Sequence, residues 1–146
     1  MPIVYHNSMT QLVDILILSV YIFMGCQHIP PNQVAWPGIY AMEQVCDGAT
    51  NPSYTMEIRP DSQDASTFYL VNVGNYGEKV KATVQNDSLI ITPTKAHVGL
   101  MGSVRLSGTG RLQRETLLIQ LTVEVPGPQN TTTTSTCELH GTPARQ

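Results

Sequence analysis

The chain is short of charge, and the charges it has are spread thin. Charged residues are 13% of its 146 residues, against roughly a quarter in an ordinary globular domain. The eight basic residues are scattered, with none before Arg59. Without a basic stripe the chain has no electrostatic footprint for a nucleic acid, and none is expected as a partner. Catalytic signatures are missing too. There is no Gly-x-Ser-x-Gly elbow, phosphate loop or dinucleotide fingerprint, since Gly108-Thr109-Gly110 lacks a third glycine and a following helix. His6, His28, His97 and His140 lie far apart, so no metal cluster is expected. Asp61 and Asp64 lack the calcium-loop spacing and its distal Glu, and read as a solvated turn. These absences predict a protein that is not an enzyme, with no catalytic residues, metal or cofactor.

What is present begins with Ile15 to Met24, an apolar run that ends at Gly25-Cys26. Its length suits the apolar region of a signal peptide and is too short to cross a bilayer core of about 30 Å. A small residue directly before a cysteine, after such a run, resembles the bacterial lipoprotein signal. That resemblance implies a signal peptide over residues 1–25 and a lipid on Cys26. Residues 26–35 contain two prolines and few large apolar groups, as an extended tether would. Residues 36–146 then form one domain, held to the membrane of a bacterial cell envelope through its N-terminal lipid.

Cysteine is scarce, and its arithmetic agrees with export. With Cys26 lipidated, Cys46 and Cys137 remain as an even pair in an oxidising compartment. Cys46 has no close Cys or His and Cys137 has only His140, too few for a metal site or redox motif, so a disulfide between them is expected.

From Trp36 onward apolar and polar residues alternate between turn signals, and no window keeps a helical period. Leu117, Ile119, Leu121, Val123 and Val125 share one face of a strand, with Thr116, Gln120, Thr122 and Glu124 on the other and Leu118 as an outward exception. Further strands are read at Gly38 to Val45, Tyr54 to Arg59, Phe68 to Val73, Val80 to Val84, Leu89 to Thr92, Val104 to Leu112 and Ser135 to His140. Asn86-Asp87 tolerates positive φ and predicts a tight hairpin. Gly74 to Gly77 marks another turn, and Asn130 to Thr134 an exposed polar loop. Eight short antiparallel strands with hairpin-length links leave two all-β architectures, a closed meander barrel or a two-sheet β-sandwich. The barrel is favoured. In it the first and last strands are neighbours, so a Cys46–Cys137 bridge would staple the closure.

Trp36-Pro37-Gly38-Ile39-Tyr40 brings an aromatic and a glycine into the first strand, and there the chain resembles small bacterial lipocalin-like lipoproteins. The likeness extends in layout from Trp36 to about His140. It implies a lipocalin-like barrel that binds a small apolar or amphipathic ligand without transforming it. Trp36, Tyr40, Met42, Tyr54 and Met56, aromatic and thioether side chains near the first hairpin, are the candidates for lining such a pocket. The small inward residues Ala82, Gly108 and Gly110 leave room for one. A filled barrel that meets another envelope protein through outward Leu118, Tyr69 and Val71, or through an open strand edge, is the alternative. Lys79, Lys81, Lys95, Arg105 and Arg111 are expected on a solvated outer face.

Overall fold

A computed structural model describes residues 35–99 and 102–144. The signal segment, Cys26 and all but the last residue of the tether lie outside the described residues. Eight strands follow one another: β1 (Gly38–Cys46), β2 (Ala49–Pro60), β3 (Thr67–Val71), β4 (Lys79–Gln85), β5 (Ser88–Val98), β6 (Gly102–Gln113), β7 (Thr116–Pro126) and β8 (Thr132–Pro143). Each pairs antiparallel with the next, and β8 returns to β1, so the sheet closes as a meander barrel rather than splitting into a sandwich.

The turns follow from their residues. Asn86 and Asp87 both take positive φ, 48° and 60°, between the paired Gln85 and Ser88. This is the left-handed two-residue turn that matches strand twist, and Asn and Asp accept it at low cost. Asp47-Gly48 makes the same kind of turn between Cys46 and Ala49. Several strands run longer than their alternation suggested. β2 starts at Ala49 and β5 continues to Val98 past a register shift between Ile91 and Thr94, which carries the strand past Pro93. β8 takes in most of the threonine tract, leaving Gly127 to Thr131, with the short 3-10 turn Pro128–Asn130, outside the sheet. β3 is shorter than expected. It ends at Val71, and Val73–Asn75 forms another 3-10 turn.

Inward side chains from every strand meet in one continuous core, in which Met42, Leu70, Leu89, Leu106, Leu117, Leu121 and Leu139 are wholly buried. Small residues bring the wall inward instead of leaving space. A Cβ on Gly108 would collide with the Gln120 carbonyl oxygen on β7. One on Gly141 would lie 2.7 Å from Met42 Sδ, so Gly141 leaves the space that Met42 fills.

Candidate functional site

Inside the barrel the chemistry is apolar and close-packed. Trp36 and Tyr40 are 4% exposed, Met56 1% and Met42 0%, and half-buried Tyr54 packs against the same core. The five candidate lining residues are therefore brought together as core side chains. The Tyr40 hydroxyl donates to the Trp36 carbonyl at 3.0 Å, and burial pushes its pKa above the ordinary value. Tyr54 Oη accepts the Gly74 N–H at 3.1 Å, and burial pushes the phenol up to about 12. Both phenols are neutral over the physiological range and offer no base.

At one end the core meets the β1–β8 seam. Cys46 and Cys137 are direct cross-strand partners and are joined as a disulfide, with Cα atoms 4.0 Å apart. Gln44, 3% exposed, points inward beside them. Its Nε2 donates to Cys46 Sγ at 2.9 Å and lies 3.6 Å from Cys137 Sγ, while its Oε1 has no hydrogen-bond partner among the described residues. Sequence reading missed Gln44. The signal was there, a polar residue in the inward phase between Met42 and Cys46.

The other candidate groups are used up structurally. Asp64 accepts the Ser66 N–H and hydroxyl on one oxygen and the Thr67 hydroxyl on the other, at 2.9, 2.7 and 2.7 Å. The Ser66 and Thr67 hydroxyls are the main reason its carboxyl is held down at about 2. Asp61 accepts the Gln63 N–H at 2.7 Å, which, with the Tyr69 hydroxyl, lowers its pKa. The pair builds the β2–β3 turn, and among the described residues no group of three His, Cys, Asp or Glu could hold a metal. Lys79, Lys81, Lys95, Arg105 and Arg111 are all exposed, and Lys79 Nζ sits 3.8 Å above the Tyr69 ring.

Outside, a concavity of about 420 Å³ opens across β5 to β8. Register places Arg111, Leu118 and His140 side by side in one cross-strand row, with Ser88 continuing it on β5. Thr109, Gln120 and Glu138 make the adjacent row. Half-buried Leu118 is thus an apolar spot between a guanidinium and an imidazole. Leu118 stood out in the sequence as the outward exception on β7. Its neighbours Arg111, Gln120, Glu138 and His140 come from three strands whose register only the folded sheet reveals.

The chain matches no family model and no curated protein sequence.

Proposed function

We propose that the protein is a non-catalytic binding module of a bacterial cell envelope, anchored through a lipid on Cys26 and akin to the small lipocalin-like lipoproteins. Its ligand is a small amphipathic molecule with an anionic head. The observation that carries the reading is where open space lies: Met42, Met56 and their neighbours fill the interior, whereas the concavity around Leu118 opens outward. In it Leu118 receives an apolar stem and the Arg111 guanidinium pairs with the head. Arg111 supplies a permanent cation that donates in a fork matched to a carboxylate. Glu138, one row away, keeps the head on the Arg111 side. An apolar ligand in the interior would instead have to displace Met42 and Met56, at the expense of native packing.

Titration calorimetry with octanoate, octanol and octylamine tests the site. Octanoate binds best, and Arg111→Gln weakens it about tenfold, the loss of one charge-assisted hydrogen-bonding group. Equal binding of octylamine, or octanoate binding indifferent to Arg111→Gln, contradicts the reading. Anchoring is tested separately by detergent-phase partitioning in a bacterial host. Wild type enters the detergent phase and Cys26→Ser does not.

A further inference from the structure

The β5–β6 hairpin ends in an arm that stands partly free of the barrel wall. β5 and β6 pair up to Val98 and Gly102, but β6 pairs with β7 only from Arg105, opposite Glu124. Val125 and Pro126 of β7 pair with β8 alone. The two strands diverge there, and a concavity of about 330 Å³ lies between them, lined among others by Val104 and Pro126. The backbone of Gly102–Val104 that faces β7 has no ladder partner among the described residues. An unpaired strand edge is a template for another strand.

The charges around this edge select its partner. Lys95 and Arg105 are direct cross-strand neighbours, both exposed, and both line the concavity. Like charges placed opposite each other destabilise a sheet. Glu124 beside Arg105 offsets one of them, but neither cation makes an ion pair among the described residues. A second copy of the chain presenting the same arm would bring two more cations to this edge, a repulsion that disfavours pairing of copies edge to edge. A strand carrying carboxylates meets the opposite situation.

We propose that this arm binds an extended acidic peptide segment of another protein. The segment adds to the β6 edge at Gly102–Val104, places an apolar side chain against Val104 and Pro126, and sets a carboxylate beside Arg105, with the Lys95 cation on the next strand adding to the attraction. The site is separate from the Leu118 concavity and does not depend on it.

The test uses the full chain and a fluorescein-labelled eight-residue peptide of alternating Val and Glu, read by anisotropy, with amide NMR shifts to locate it. A Val and Lys peptide and an eight-nucleotide single-stranded DNA are the comparisons. The acidic peptide is expected to bind, to weaken with added salt, to shift the amides of Gly102–Val104, and to lose at least tenfold in affinity in the Lys95→Glu, Arg105→Glu variant. Lys81→Gln, on β4 and lining neither concavity, leaves it unchanged. Should the double variant fail to fold, Lys95→Gln and Arg105→Gln singly are each expected to weaken binding. The proposal is overturned by the absence of binding at millimolar peptide, by equal affinity for the Val and Lys peptide, or by equal affinity for the DNA. Shifts confined to other strands, or affinity untouched by loss of the two cations, overturn it as well.

Discussion

The barrel is held together differently on its two sides. On one, the β6–β7 ladder runs unbroken from Arg105 to Gln113 and the β7–β8 ladder from Leu117 to Pro126, with the disulfide closing β8 onto β1. On the other, β2 meets β3 only from Glu57 to Pro60, and β4 meets β5 only from Thr83 to Gln85. Side chains make up part of what the backbone leaves there. Asn72 Nδ2 donates to the Thr55 carbonyl at 2.8 Å while its Oδ1 accepts the Gly77 N–H at 2.8 Å. Asp64 ties the β2–β3 turn, and Tyr54 holds the Gly74 amide. The long side thus depends on backbone approach and the staple, the short side on individual hydrogen bonds. The two should therefore fail in different ways.

Breaking the staple carries the largest expected effect. Cys46→Ala with Cys137→Ala frees a link between positions 91 apart and is expected to lower stability by about 4 kcal/mol in urea unfolding. Hydrogen exchange should then rise first in β8 and β1. Next comes Gly108→Val, which forces a side chain into the Gln120 carbonyl and should cost about 3 kcal/mol or abolish folding. Ser107→Val, one position along, is half-buried on the outer side and should change stability by about 0.5 kcal/mol or less.

Thr67→Val probes the short side. Thr67 is 1% exposed and donates to Asp64 at 2.7 Å, so its removal should cost about 1 kcal/mol and speed exchange in β3 while leaving β7 and β8 protected. The same pairing has a pH signature. Asp64 lies at about 2 against an ordinary 3.8, a depressed carboxyl. Its contribution is present above about pH 4 and lost as pH falls toward 2. Urea midpoints of wild type should drop across that window, and those of Asp64→Asn should drop less. Tyr54→Phe is expected to cost a similar amount, about 1 kcal/mol. Its phenol is raised from 10.0 to about 12, so the wild-type contribution is intact below pH 10 and lost between 10 and 12. The Phe variant should lack that alkaline loss.

This division also explains what could be read from residues alone. The long side is written in period-two alternation, and Leu117 to Val125 is legible without any structure. The Asn86-Asp87 hairpin and the cysteine pair were legible for similar reasons, one from local backbone preference and the other from compartment chemistry. On the short side the strands at Tyr54 to Arg59, Phe68 to Val73 and Val80 to Val84 were legible as well, but the side-chain ties between them were not, because a Tyr54 hydroxyl holding the Gly74 amide is a long-range fact with no local pattern. The outer concavity was half legible. Leu118 broke the polar face of β7, but Arg111 and His140 reach it only through strand register. Gly108 read as spare room, yet whether a missing side chain leaves a void or draws a neighbouring strand closer depends on the partner strand, here β7.

We propose that ligands meet the outer wall of the barrel and do not enter its filled interior. Octanoate titration of protein with labelled Met, Leu and Val methyls tests it most directly by NMR. Saturable shifts are expected at the Leu118 methyls, with Met42, Met56, Leu106 and Leu121 unmoved. Saturable shifts at Met42 and Met56 with Leu118 unmoved would contradict it.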